Sequence, residues 1–344
     1  MNGVVAGIGG HPPPTGSRVA HALFMALACA ALVGCSSSGG PAQTGLDPAA
    51  RPDGLVRAEA PETAAPDAAL LAFYAGVEGD LTASGRMRRE TSPSDVPYSI
   101  DDLVRNFERI ALYDEYVDLG GRFVRQETPS HLRRWEQPVR VGMMTGPSIP
   151  PAMAARDRAN VAAFTRRLGG LTGLDMAVSE GADVNFLVLF MTNAERIAFA
   201  DQVRARYPEF APAVMSTLVN TPLDTFCTAY AFADPGNSAV YSAAMIVIRA
   251  EHPPLTRLSC VHEEMAQAMG LPNDSPDARP SLFNDSLEFA LLTEHDEVLL
   301  RMLYDPRLRP GMTSAEARAL LPTVAADAMA AQRRESPRIA SSGM

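Results

Sequence analysis

Lysine is absent from this sequence, and all 30 basic residues among its 344 are arginine. The absence excludes Schiff-base catalysis, the lysine of a phosphate-binding loop and a lysine general base. Arginine stays protonated, so it cannot take over proton transfer. Positive charge is also outnumbered overall, because the formal net charge is −10. No nucleic-acid partner is expected, since phosphate binding depends on clustered positive charge.

Several catalytic motifs are missing as well. The sequence has no G-x-S-x-G elbow, no G-x-G-x-x-G after a strand and no C-x-x-C pair. Glu264 with Asp274 or Asp285 could form a carboxylate pair of the glycosidase type, but acidic residues are too common for that pairing to predict a function alone. What is present is apolar: 47% of the residues are hydrophobic and 20% are charged, which indicates a globular protein.

The first 34 residues predict a signal peptide. One charged side chain, Arg18, precedes the apolar run VAHALFMALACAALVG, which is too short to span a bilayer comfortably. The run leads into LVGC at residues 32–35, which resembles the bacterial lipobox and implies that Cys35 is acylated and becomes the first residue. A buried apolar helix of the folded domain is the competing interpretation. Ser36 after the cysteine implies an outer-membrane lipoprotein facing the periplasm.

The predicted processing leaves one pair of cysteines. Cys29 leaves with the signal peptide and Cys35 carries lipid, so Cys227 and Cys260 remain. In an oxidising envelope compartment this pair is expected to form a disulfide, which we predict ties the strand from Thr225 to the start of the following helix. Two buried free thiols are the alternative.

A tether, one folded domain and a tail are predicted after the signal peptide. Residues 35–66 are rich in Ser, Gly, Pro and Ala and cannot bury enough surface to order themselves. Helical and strand patterns alternate over residues 67–335, and residues 336–344 form a frayed tail. The domain therefore belongs to the α+β class.

Local patterns predict the elements of this domain. Ser99 begins a helix whose apolar spacing continues to Val117, and the helix from Pro151 ends at a Gly-Gly pair after Leu168. The run ADVNFLVLFM predicts a central strand. The segments TFCTAYAFAD and AVYSAAMIVIRA predict an antiparallel pair, and Thr313 begins the last helical segment.

The stretch CVHEEMAQAMGLPND, residues 260–274, carries the candidate site. It resembles the metzincin peptidase motif H-E-x-x-H-x-x-G-x-x-H/D, in which side chains one helical turn apart share a face and bind zinc. In that motif the glutamate polarises the metal-bound water, and the glycine turns the chain back toward the metal. The resemblance places Glu263, Gln267 and Asn273 at the metal-ligand positions, Glu264 at the general base and Gly270 at the turn.

Neighbouring segments extend the resemblance to about residues 225–325. Residues 280–283, PSLF, stand where metzincins make a methionine-containing turn, and LTEHDEVLLRMLYDP resembles the helix that closes such domains. AVYSAAMIVIRA precedes the motif as the substrate-aligning edge strand does. The chain is identified as a member of a bacterial envelope family of unknown function that is similar to metzincins. This implies a zincin-like domain with a mixed sheet, a motif helix and a helical C-terminal part.

The ligand positions differ from those of a zinc enzyme. Glu, Gln and Asn supply one charged and two neutral oxygens, a set nearer to calcium or magnesium than to zinc. A weakly held divalent metal is compatible with this set, and tight zinc is not. His262 does not complete an H-E-x-x-H in any frame and is interpreted as a histidine hydrogen-bonded to backbone or as a group behind the ligands. His295 is expected to face solvent or to cap a neighbour.

Two functions remain open at this stage. The first is an envelope lipoprotein that is held to membrane lipid by Cys35, in which a degenerate zincin-like domain has a binding or structural role with a protein or cell-wall partner. The second is a peptidase-like hydrolase that acts on peptide or cell-wall substrates with an unusual metal or none.

Overall fold

The computed structural model describes residues 4–8, 67–208 and 210–335. Acylation of Cys35, the predicted tether and the predicted tail lie outside these residues, as does most of the predicted signal peptide. In the described parts of the chain, no helix combines the length and hydropathy needed to cross a membrane.

The described residues form nine strands in two sheets. The strands are β1 (Val4–Ile8), β2 (Tyr113–Asp118), β3 (Phe123–Pro129), β4 (Arg134–Trp135), β5 (Val139–Thr145), β6 (Met176–Val178), β7 (Phe186–Met191), β8 (Cys227–Asp234) and β9 (Asn237–Arg249). The main sheet has the order β1-β8-β9-β7-β5-β6, with β4 beside the first part of β9. Its neighbours are parallel except for the antiparallel pair β8–β9. Strands β2 and β3 form a separate antiparallel hairpin.

The helices of the described residues lie mostly between and after these strands. They are α1 (Ala68–Ala83), α2 (Ile100–Ala111), α3 (Pro151–Thr172), α4 (Asn193–Arg206), α5 (Pro212–Val219), α6 (Pro254–Gln267), α7 (Glu294–Leu303), α8 (Ser314–Ala317) and α9 (Leu321–Glu335). Reciprocal capping boxes begin several of them. Ser99, Thr192, Thr293 and Thr313 each accept from the third backbone N–H of the helix that follows.

Helices cover both faces of the main sheet. Strand β7 is buried on both sides. Val188 and Phe190 lie in the larger core with α3, α6 and α7, whereas Leu189 and Met191 lie in a second core with α4 and α5. Successive side chains of a strand point to opposite faces, so a strand covered on both sides reads as one continuous apolar run. This confirms the predicted central strand and the mixed α+β class.

Three sequence predictions need correction. The helix from Ser99 ends at Ala111, and the chain continues as β2. Helix α3 passes through its two glycines and ends at Gly173, whose φ of 73° is left-handed. Strand β9 is not an edge strand, because β8 and β7 flank it and β8 lies outward of it. The antiparallel pairing of β8 with β9 is confirmed.

Candidate functional site

Helix α6 carries the motif and is fixed near its middle. Cys260 forms a disulfide with Cys227 at the start of β8, which confirms the predicted pair. The bridge meets the middle of the helix rather than its start, because the helix already begins at Pro254. One turn earlier, Arg257 forms a buried ion pair with Asp157 of α3. Both links hold α6 against the elements beside it.

The end of α6 is fixed by two hydrogen bonds and followed by a tight turn. The indole N–H of Trp135 donates to the carbonyl oxygen of Ala268 at 2.9 Å, and the hydroxyl of Tyr304 donates to that of Met269 at 2.9 Å. Gly270 then turns the chain with a φ of +123°, a conformation that side-chain-bearing residues rarely adopt. These contacts fix where the residues after the turn return toward the helix.

An acidic cluster lies where the motif predicts a site. Glu263, Glu264 and Gln267 of α6 are at most 1% exposed, and Asp274 after the turn is 6% exposed. Gln267 Nε2 donates to Asp274 Oδ1 at 3.3 Å. We include Glu115 of β2, which is 2% exposed, in this acidic cluster. Burial raises its pKa, the charges of Asp274 and Glu263 add to this, and its own charge raises the pKa of Glu264.

Oxygen atoms of the acidic cluster lack partners. Glu263 Oε2, both carboxylate oxygens of Glu264 and Gln267 Oε1 are buried and accept no hydrogen bond from the described residues. Glu115 Oε1 forms an ion pair with Arg125 Nε at 3.1 Å, but neither oxygen of Glu115 accepts a hydrogen bond from the described residues. Buried acceptors without a donor are costly and uncommon, so these oxygens need protons or positive charge that hydrogen bonds from the described residues do not supply.

The electrostatics of the acidic cluster follow from this burial. Burial raises the pKa of Glu115 to about 9, that of Glu263 to about 8 and that of Asp274 to about 7, and adjacent carboxylates add to the effect. Burial raises the pKa of Glu264 well above its usual value, and the charges of Glu263, Asp274 and Glu115 raise it further. At neutral pH most of these groups hold protons unless a positive charge lies among them.

The structure places Asp274, one residue beyond Asn273, against the helix at the third position of the motif. The amide nitrogen of Asn273 donates to the carbonyl oxygen of Arg109 at 3.0 Å and to Glu127 Oε2 at 3.3 Å, so its side chain is engaged with α2 and β3. Asp274 contacts Gln267 instead. The turn at Gly270 therefore returns a carboxylate to the helix face, where the sequence predicted an amide.

The disulfide borders the acidic cluster. Cys227 Sγ and carboxylate oxygens of Glu263 and Glu264 lie within 4.8 Å of one another. Because this sulfur is bonded to Cys260, it is not a thiolate and does not act as a metal ligand. The donors are therefore oxygens, from carboxylates and one amide.

The histidines near the motif have other partners. His262 stacks on Phe164 with ring centroids 4.2 Å apart, and its Nδ1 accepts from the backbone N–H of Leu292 at 3.2 Å. This confirms its interpretation as a histidine satisfied by backbone. His295 is fully buried and contacts Asn106 Nδ2 at 3.0 Å, so the expectation that it faces solvent is wrong.

The loop predicted to replace the methionine turn is tied to α7. Asp296 accepts from the hydroxyl of Ser281 at 2.5 Å and from the backbone N–H of Leu282 at 2.9 Å. The carbonyl oxygen of Phe283 accepts from the backbone N–H of Ser275 at 2.9 Å, next to Asp274. The loop therefore supports the chain just beyond the acidic cluster.

Glu115 is the site residue that sequence reasoning missed. The helical spacing from Ser99 to Val117 concealed the strand that carries it. Glu115 lies where the pairing of β2 with β3 shifts register, between Asp114 and Tyr116, so no regular alternation in the sequence signals its burial. From the sequence alone, Asp274 is a candidate only as a carboxylate partner of Glu264.

The sequence around this site matches a known protein family. The family described as "Protein of unknown function (DUF2927)" matches residues 101–323, which is more than half of the chain. The chain belongs to this family. No curated protein and no solved structure matches it.

Proposed function

We propose that this member of the DUF2927 family is an envelope lipoprotein whose zincin-like domain is non-catalytic and has a binding or structural role. Acylated Cys35 would hold it to membrane lipid, and the domain would face the periplasm. The lipid anchor rests on the LVGC sequence, and the role of the domain rests on the acidic cluster.

The order of elements around the cluster supports the zincin-like assignment. Strand β9 leads into α6, which ends at Gln267. Gly270 then turns the chain, and the returning segment brings Asp274 against Gln267. The loop at residues 280–283 and the closing helix α7 then follow in the order that the metzincin resemblance implies. Strand β9 is not the edge strand that the resemblance implies, because β8 pairs on its outer side and β1 lies beyond β8.

One observation carries the non-catalytic assignment: oxygens occupy all the ligand positions, and the nearest imidazole is used elsewhere. His262 is buried against Phe164 and bonded to Leu292. Zinc in peptidases depends on nitrogen ligands, which this acidic cluster does not supply. A catalytic site must also admit substrate, whereas Glu263, Glu264 and Gln267 are at most 1% exposed.

The hydrolase alternative depends on Glu264. This residue keeps the position of the water-activating base, but burial and the adjacent carboxylates raise its pKa well above its usual value, which favours the protonated form that cannot accept a proton. Its complete burial also separates it from substrate in the described structure. The non-catalytic role is therefore the better supported of the two.

The test measures hydrolysis and zinc content together. We expect the full chain, purified in detergent without chelator, to contain far less than one equivalent of zinc and to cleave neither casein nor cell-wall peptides. Glu264→Gln should leave this background unchanged, as should the control Glu251→Gln, which alters a buried glutamate bonded to Asn193. Turnover that disappears in Glu264→Gln but persists in Glu251→Gln would establish the hydrolase instead.

A further inference from the structure

We propose that the acidic cluster is a closed binding site for one hard divalent cation, and that Ca²⁺ is the ion its donors suit best. The ligands would come from two places in the chain. Helix α6 supplies Glu263 and Glu264, whose carboxylate oxygens lie within 4.8 Å of one another, and Gln267 with its unpartnered oxygen, and the turn supplies Asp274, which contacts Gln267. This inference rests on the proposed binding role and names the ligand of that same site.

The unpartnered oxygens point to an ion rather than to a simple acidic patch. Gln267 is fully buried, its nitrogen bonds to Asp274 within the cluster, and its oxygen has no donor among the described residues. An amide oxygen gains nothing from protonation of its neighbours, so proton uptake alone leaves it unsatisfied. A cation among the carboxylates would satisfy this oxygen together with those of Glu263 and Glu264.

The charges also suit a dication. Arg125, at 3.1 Å from Glu115, offsets one of the acidic groups and also pairs with Asp285 at the surface. A dication would offset two more, and the last carboxyl would keep its proton. Removing buried carboxylates from water is costly unless opposite charge accompanies them, and the ion supplies that charge where no arginine reaches.

The donor chemistry separates Ca²⁺ from its competitors. Calcium accepts six to eight oxygen ligands in irregular arrangements, including carboxylates that bind through both oxygens. Magnesium requires a near-ideal octahedron and keeps several waters, which a closed cluster of large carboxylate side chains accommodates poorly. Zinc favours nitrogen and sulfur, and the nearby sulfur of Cys227 is held in its disulfide.

The test measures thermal stability and binding with CaCl₂, MgCl₂ and ZnCl₂ at pH 8, using the full chain after chelator treatment and dialysis. A ligand at about 100-fold excess over its Kd that binds the folded state alone should raise Tm by about 5–10 °C. We expect such a rise with CaCl₂, a smaller one with MgCl₂, and about one equivalent of bound calcium in calorimetry. Glu263→Gln and Asp274→Asn should each reduce the calcium affinity at least about tenfold.

The matched control is Glu251→Gln. Glu251 is also buried with one unpartnered oxygen, but it lies outside the acidic cluster. This variant should keep the full calcium response. The proposal fails if calcium neither binds nor raises Tm, if the response is equal in Asp274→Asn and wild type, or if zinc binds more tightly than calcium. None of these outcomes depends on peptidase activity. The calcium proposal can therefore be refuted while the non-catalytic role stands, and hydrolytic activity can refute that role while calcium still binds.

Discussion

At the residue scale, both backbone conformation and packing require glycine at position 270. Its φ is +123°, and a Cβ built there would overlap the carbonyl oxygen of Arg133. We expect Gly270→Ala to lower the free energy of unfolding by about 3 kcal/mol or more, and Gly270→Val by more still, since strain and overpacking add. Urea denaturation measures the loss.

The control for this prediction lies in helix α3. Gly170 has nothing within 4 Å of a Cβ built on it and has an ordinary helical conformation. Gly170→Ala should therefore leave stability unchanged or raise it by about 0.5–1 kcal/mol. Equal effects of alanine at the two glycines would contradict the steric argument.

The same turn shows what sequence can and cannot predict about single residues. Helical periodicity places Glu263 and Gln267 on one face, and this holds in the structure. Beyond the left-handed glycine no period applies, because each backbone torsion redirects the chain. The choice between Asn273 and Asp274 is therefore decided by tertiary contacts, chiefly by the hydrogen bonds of Asn273 to Arg109 and Glu127.

At the element scale, His252 joins α1, β8 and the turn before α6. Its Nε2 donates to the carbonyl oxygen of Phe226 at 2.7 Å, and its ring lies edge-on to Tyr74 with centroids 4.3 Å apart. Burial lowers the pKa of His252 to about 3, and the nearby charges of Arg249 and Arg257 oppose protonation further. The imidazole is therefore neutral in the folded protein.

This burial predicts a loss of stability in acid. The unfolded chain binds a proton at His252 below about pH 6.5, whereas the folded chain does so only near pH 3, so the stabilising contribution declines as pH falls between these values. From pH 6.5 to 5, wild type should lose about 2 kcal/mol more than His252→Gln. Urea denaturation at both pH values measures this difference, and parallel losses in the two proteins would refute it.

Element boundaries were predictable where a local signal existed. The capping boxes at Ser99 and Thr313 marked helix starts, because side chain and backbone satisfy each other within four residues. The end of α2 had no such signal. Tyr113 and Val117 fit helical and alternating patterns alike, so only the pairing of β2 with β3 decides for strand, and with it the burial of Glu115.

At the scale of the whole molecule, the outer edge of β8 depends on how the chain is processed. Strand β1 pairs in parallel with β8, from Val4 opposite Thr228 to Ile8 opposite Phe232. The predicted signal peptide includes all of β1. If cleavage before Cys35 takes place, the mature chain loses this strand, and the backbone groups on that side of β8 become free to bond to water or to a partner.

The last prediction tests this processing directly. We expect cells fed a labelled fatty acid to label the wild-type protein through Cys35, because the thiol follows the LVG sequence and the apolar run. Cys35→Ala should lose the label and keep the uncleaved N-terminus. Cys29→Ala is the matched control: it removes a thiol from the same segment but leaves LVGC intact, so it should stay labelled. Equal labelling of wild type and Cys35→Ala would show that the protein is not acylated at this cysteine.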